Sequence, residues 1–565
     1  MKIVATEKGF SLSEKTVNFD FISDRFPEEK DSLFTLSVCG EAPMPLICAG
    51  DRLILPVDEG IAIRADKEYD QGELDISSIG GTFCSREGTL GMLIVEREKS
   101  FLMIAPQNTV YATYSAVRTN GLYHLKLVVE KEMPVFYGVF GTLVEAAAYY
   151  REHFAKATVT LKEKIEKNPE ILKLAHGAVF WVWQDNYDEV MYADRDTDAN
   201  PSVGTAIFDI ADTLQANGVD NALFGIFFNE DSQSVERLYQ KYGYIATQYD
   251  NYNDVLDPAM LSLIPNNRVR CCDYTRRRMK DYPDGVQIRA DGSRKPAWAL
   301  RGFDGEMHPQ NTLCPAVAAE RIKTEIPQII ARYPCYKGRF IDVYGGCALS
   351  ECYSKTHPAT KEEILKIKKD AFAALGEMGL IAGTEDGCDG IADSLVYAEG
   401  LHSPVYFRNN DSGRKHAHRY TQERAAHIRK HMLDPTSRVP LFELVYHDCL
   451  LALPYWGDST ASDASLLKRK ILFACLYGCV PLYSFFVKDF ARLKMDILES
   501  YHRIRSVLQK VATLPMTDFT SLTEDGTVQR SVFGGRYEVV ANFSPLAYRY
   551  SDKTVAPEDF YFGEL

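Results

Sequence analysis

The alternation of strand-like and helix-like segments from residue 177 to about 495 constrains this chain more than any other feature. GAVFWVWQD is apolar, ends at Asp185, and is followed by the helical SVGTAIFDIADTLQANG. NALFGIFFN precedes a second helix, DSQSVERLYQKYG, and YIATQYDNY follows it. After a polar, Arg-rich stretch (255–313) come the helix PAVAAERIKTEIPQIIARY and the strand RFIDVYGG. Helix TKEEILKIKKDAFAALGEMG leads to LIAGTEDG, and VPLFELVYHD, helix DASLLKRKILFACLYG and VPLYSFF complete the series. Repeated βα units require a parallel sheet covered by helices. Seven visible strands favour a (β/α)8 TIM barrel, distorted by one strand that the pattern hides. The rival is an open doubly wound sheet, but no Gly-rich phosphate loop follows any strand.

The flanks differ. Residues 1–143 carry short, partly alternating runs (TLSVCG, DRLILPV, LGMLIVERE, SFLMIAP, YHLKLVVE) between turn residues, the pattern of a β-sandwich. Residues 144–176 read as a helical connector, broken at Asn168-Pro169. The barrel is expected over 177–511 and a small C-terminal β domain over 512–565, where TVQRSVFGGRYEVVANFS reads as a hairpin. A chain of 565 residues is too long for one core, so this multidomain α/β and β division fits its length.

A net charge of −14 argues against nucleic acid or an anionic membrane as partner. No apolar core of a signal peptide follows MKIVATEKGF, and no run reaches the roughly 18 apolar residues of a membrane span, so a cytoplasmic protein is expected. The 13 Cys include Cys271-Cys272 and Cys347/Cys352, without the CxxC spacing of a metal quartet, and read as buried, reduced thiols. No cofactor is expected; calcium is the one metal hinted at, by the oxygen ligands of Asp250, Asn251, Asn253 and Asp254.

Barrel chemistry sits at the C-terminal strand ends. There the sequence places Trp183 and Asp185, Asn229 and Glu230, Asp250 and Tyr252, Asp342 and Tyr344, Glu385 and Asp386, and Asp448. Trp181 and Trp183 share one strand face and serve either as core or as a sugar-stacking platform. Asp342 stands where an inward hydrophobe would be cheaper, so it needs polar partners or a task. A retaining glycosidase uses two carboxylates roughly 5–5.5 Å apart, and Asp342 and Glu385 on successive strands meet that spacing. The acid partner's pKa must be raised by burial and by the other carboxylate. The bland alternative for each acid is a helix cap or loop hydrogen bond. TRRRMKD and the His-rich RNNDSGRKHAHRYTQER read as solvated surface, although the arginines could meet an acidic sugar.

On FIDVYGG, GTEDGCDG and VPLFELVYHD the chain resembles the retaining α-glycosidases, most closely glycoside hydrolase families 101 and 129, the α-N-acetylgalactosaminidases. The resemblance implies Asp342 as nucleophile and Glu385 as acid/base, with Asp386 as the adjacent contender. By analogy with families 31 and 36, where the acid lies two strands later, it would instead point to Asp448. It further implies an exo-acting enzyme on a small α-linked glycan or glycopeptide, with Asp448, Asp185, Asp250, Tyr344, Tyr252, Trp181 and Trp183 binding sugar. The competing readings are an α-galactosidase or α-glucosidase using Asp448, a barrel that binds carbohydrate without cleaving it, and a metal-dependent barrel hydrolase.

Overall fold

The computed structural model describes residues 2–6, 9–13, 33–47, 50–64, 88–98, 100–119, 122–155, 159–191, 193–197, 202–227, 232–346, 349–402, 421–454 and 458–565. The sequence readings at Asn229, Glu230 and most of the His-rich run lie outside these residues.

Eight parallel strands form the central sheet. In chain order they are Val179–Trp183, Leu223–Ile226, Ile245–Asn251, Gly338–Asp342, Ile381–Gly387, Tyr397–Leu401, Leu451–Leu453 and Leu482–Phe486. Each pairs with its chain neighbour through the seventh, and the eighth pairs with the first. No ladder joins the seventh and eighth strands among the described residues. One bond, from Val480 N to the Ala452 carbonyl (3.2 Å), spans that seam, so the barrel is nearly closed.

The expected strand at 439–448 is instead the helix Leu441–Tyr446. All six of its residues are buried, Glu443 included, and a short run buried all round carries no period by which to tell helix from strand. The sixth and seventh strands went unread. The turn from the fifth strand to the sixth contains a single 3-10 turn, Ala392–Ser394, in place of a crossover helix, and the seventh strand is only three residues long.

The N-terminal region is one antiparallel sheet of eight strands between Leu33 and Phe140. Its longest strand, Leu122–Phe140, pairs along its first half with Ala112–Thr119 and along its second with Ser100–Pro106. Alternating residues face two ways: Ile54, Ile94 and Met103 join the barrel's core, whereas Leu53, Val95 and Leu102 join a second cluster.

Helices Leu143–His153, Leu161–Lys167 and Ile171–Ala175 connect sheet to barrel, the first two started by capping boxes (Thr142/Glu145 and Thr160/Glu163). Lys164 is buried and donates to the carbonyls of Ala392, Leu395 and Cys449, on the segments entering the sixth and seventh strands. After helix Phe490–Val511 the chain ends in a four-stranded antiparallel sheet that includes the hairpin Val528–Phe533 / Tyr537–Asn542. No helix among the described residues is long and apolar enough to cross a membrane.

Candidate active site

Three carboxylates stand side by side at the C-terminal ends of the fourth, fifth and sixth strands. Ile341 pairs with Thr384, which brings Asp342 beside Glu385 one residue on, and Glu385 pairs with Glu399. Neighbouring strands are about 4.8 Å apart, and side chains at matched positions share a face. Asp342 is 8% exposed, Glu385 4% and Glu399 0%, so all three are buried, most completely Glu399 where the row meets the floor of the site.

Trp181 makes that floor. It crosses from the first strand, and its indole N–H donates to both oxygens of Glu399 (3.0 and 2.8 Å). The crossing needs Gly225 on the second strand, because a Cβ there would lie 2.3 Å from the indole. Trp183 stacks on Trp181 at 5.8 Å and donates to Ser484 Oγ (2.9 Å). Burial, with the nearby charge of Glu385 adding to it and the Trp181 bond opposing it, pushes the Glu399 carboxyl up to about 8. Glu399 is therefore a neutral acid near pH 7.

Asp342 accepts a short hydrogen bond from the Tyr249 hydroxyl on the third strand. Burial, and then the charge of Asp342, hold the Tyr249 hydroxyl well above its ordinary pKa, so it stays a donor. Tyr249 packs 4.3 Å from Phe227 and 5.4 Å from Tyr274, and Phe227 lies 5.5 Å from Trp183. Phe227 and Tyr274 are half-buried, so an aromatic wall flanks Asp342 and can take the apolar face of a pyranose.

The chain bends sharply after each of the first two carboxylates. Val343 has φ 61° and Asp386 φ 53°. A β-branched residue in the left-handed region is strained, and such strain collects at functional sites. The Gly345-Gly346 pair that reads as a turn also permits close packing. A Cβ at Gly345 would lie 2.5 Å from Thr384, and one at Gly346 would lie 2.8 Å from Asp386. Gly345 N donates to Thr384 Oγ1 (3.2 Å), which donates to the Ile341 carbonyl (2.7 Å). The exits of the fourth and fifth strands are thereby fastened together, with the Asp386 carboxylate against Gly346 and Glu385 in the row.

Beyond the fifth strand, Asp389 accepts from Tyr150 OH (2.6 Å), which accepts from Gly91 N (2.8 Å), and Asp389 N donates to the Thr89 carbonyl (2.8 Å). The N-terminal sheet and the connector thus hold the loop that follows Glu385.

Other expected site residues go elsewhere. Asp250 shares its strand face with Gln248, turned toward the wall, where Arg277 (2.8 Å) and Arg339 bind it. Burial would raise its pKa, but these guanidinium groups outweigh burial and hold the carboxyl below its usual range. Arg278 is fully buried between Glu325 and Asp281, so TRRRMKD is not the solvated surface expected of it. The Tyr252 ring lies under the Arg278 guanidinium (4.7 Å). Tyr344 donates to the Pro315 carbonyl (3.2 Å) and packs on Phe372. Asp448 precedes the seventh strand, at the barrel end opposite the mouth, where Arg151 grips both its oxygens (2.6 and 2.8 Å). Asp185 stays at the mouth, exposed, accepting from Lys488 N (3.0 Å). In the oxygen-rich run, Asn251 and Asn253 donate their amides to Asp254, and Asn251 Oδ1 accepts from the backbone of residues 253 and 254. Glu399, Tyr249, Phe227 and Tyr274 were not anticipated; the alternation of Tyr249 and Asn251 against Asp250 was the available signal.

The sequence matches the family described as "Glycosyl hydrolases related to GH101 family, GH129" over residues 213–425 and 420–532, together more than half of the chain. Among solved structures, ligand-free NagBb, an α-N-acetylgalactosaminidase from Bifidobacterium bifidum, superposes with TM-score 0.65 at 16% identity, covering 90% of this chain and 82% of that one. Its GalNAc complex gives TM-score 0.65 at 16% identity, covering 90% and 83%. Its Gal-NHAc-DNJ complex gives 0.66 at 16%, covering 91% and 81%. At that identity the likeness is one of fold. No curated protein matches the sequence.

Proposed function

The chain belongs to glycoside hydrolase family 129, and on that premise we propose that it is a retaining exo-α-glycosidase acting on a small α-linked glycan or glycopeptide. The observation that carries the reading is the placement of Asp342 and Glu385 on adjacent strands, each one residue past the last paired residues, Ile341 and Thr384. Their strand spacing supports the roughly 5–5.5 Å separation of a retaining pair over the roughly 6.5–9.5 Å of an inverting one.

Asp342, oriented by Tyr249, attacks the anomeric carbon while Glu385 protonates the leaving oxygen, giving a covalent β-glycosyl-enzyme. Glu385, now a carboxylate, takes a proton from water, which displaces Asp342 with a second inversion. Glu399 is engaged by the Trp181 indole. Its role is to limit negative charge beside Glu385 and to anchor the floor. Phe227, Tyr274 and Asp185 at the mouth are offered as sugar contacts. Family membership and the GalNAc-bound structural neighbour support an α-N-acetylgalactosaminide as substrate.

A panel of p-nitrophenyl α-glycosides, read together with the anomer first released, tests this. The expected result is preferential cleavage of the α-GalNAc substrate with the α-anomer released first. First release of the β-anomer would overturn the retaining mechanism, and preference for α-galactose or α-glucose would overturn the sugar. Tight sugar binding without hydrolysis of any substrate would favour the non-catalytic barrel.

A further inference from the structure

Cys314 is distant in sequence from Cys352 and His357 yet meets them in the fold, and none of the three belongs to the site above. Cys314 precedes the first turn of helix Pro315–Arg332. Cys352 and His357 lie on the segment that returns from the fourth strand to helix Lys361–Glu377. One ligand atom from each, two sulfurs and an imidazole nitrogen, lie within 4.8 Å of one another. His357 Nδ1 is 3.5 Å from Cys352 Sγ, and His357 Nε2 is 2.7 Å from the Asp284 carbonyl oxygen. A carbonyl only accepts, so Nε2 carries the ring proton and Nδ1 turns its lone pair toward the sulfurs. A backbone carbonyl commonly fixes a metal-binding histidine in this way.

The spacing suits a small tetrahedral ion. Metal–sulfur and metal–nitrogen bonds of about 2.3 and 2.0–2.1 Å at a tetrahedral angle put sulfur and nitrogen about 3.6 Å apart. Cys314 is fully buried and Cys352 is 3% exposed, in the apolar cluster under the N-terminal sheet beside Leu349 and Ala359. A cation bound between the sulfurs supplies the charge that lets both ionise.

We propose that Cys314, Cys352 and His357 bind one zinc-class divalent cation, with water completing the tetrahedron. Two thiolates and an imidazole are soft enough to select zinc over calcium or magnesium. Binding replaces one thiol proton on each cysteine by a metal–sulfur bond and releases both protons to solvent. The ion fastens the segment that follows the Asp342 strand to the start of the helix that precedes that strand, Pro315–Arg332, and, through His357, to Asp284. The proposal does not depend on the glycosidase reading.

The test is titration of the reduced, metal-free full chain with Co2+ alone. One equivalent should produce thiolate-to-cobalt charge transfer and tetrahedral d–d bands, and one equivalent of Zn2+ should abolish both. Cys352→Ser and His357→Ala should each weaken cobalt binding at least tenfold, and Cys475→Ser, in a buried thiol elsewhere, should not. Absence of these bands in folded wild-type protein would overturn the site. So would an undiminished spectrum in Cys352→Ser, or a Cys314–Cys352 disulfide in the protein as purified.

Discussion

Buried carboxylates on the two sides of the barrel wall are compensated in opposite ways. On the outer side Asp250 meets two guanidinium groups, and at the end opposite the mouth Asp448 meets one. On the inner side Asp342 takes a phenol and Glu399 an indole. Burial pushes the carboxyls of Asp250 and Glu399 the same way; the arginines reverse it for Asp250, whereas the indole leaves Glu399 at about 8. A carboxylate gripped by guanidinium is held ionised and fixed in place, which suits a strut. Glu399, held by a neutral indole, can instead carry its proton, which a guanidinium partner would oppose. Depth alone separates the two sets poorly, because all four residues are at least nine-tenths buried.

Substitutions can break this contrast. The largest effect is expected at Asp342: the Ala variant should lose at least about a hundredfold in kcat, and azide should restore part of it as a β-glycosyl azide. Near-wild-type turnover would remove Asp342 from the mechanism. Asp250→Ala should fail differently. Leaving Arg339 buried and unpaired should cost about 3–5 kcal/mol of stability in denaturant titrations, while kcat of the folded enzyme stays near wild type. A selective loss of kcat would return Asp250 to the active site.

Tyr249→Phe removes one hydrogen bond to a charged group, worth about 1.5–3 kcal/mol. That corresponds to about a ten- to hundredfold fall in kcat. Because the bond favours the ionised form of Asp342, the acid limb of kcat/KM should also move to higher pH. An unmoved limb would mean that the phenol only packs.

The smallest step is at Glu399. Its carboxyl rises from an ordinary 4.5 to about 8 in the folded chain, so the native state holds the extra proton between those values. The resulting stability is fully present below about 4.5 and is lost as pH rises toward 8, at about 1.4 kcal/mol per pH unit. Glutamine does not titrate. Wild type should therefore lose ground to Glu399→Gln across that window in thermal melts, and a constant difference would show that Glu399 is ionised in the fold.

The same contrast explains what could be read from the sequence. The first five barrel strands and the eighth are four residues or longer, each with an apolar stretch, and helical periods separate most of them. Asp342 and Glu385 stand out because each ends such a run. Glu399 does not, since it lies with Gly400 in a five-residue strand reached without a helix. Alternation groups Asp250 with Tyr252 and Tyr249 with Asn251, but it does not say which pair faces inward. The partners that decide this, Arg339 and Asp342, arrive from a strand about ninety residues away in sequence. Asp448 was misplaced together with its strand, once 441–446 proved to be a helix.

The Tyr150–Asp389 hydrogen bond joins the helix that closes the N-terminal region to the loop just past Glu385. An inheritable unit of this architecture is then larger than the barrel that carries its chemistry. A barrel excised at residue 177 would keep every strand and all three carboxylates of the row, yet lose the outside grip on one side of its mouth. Exchange of parts between relatives should accordingly move sheet, connector and barrel together.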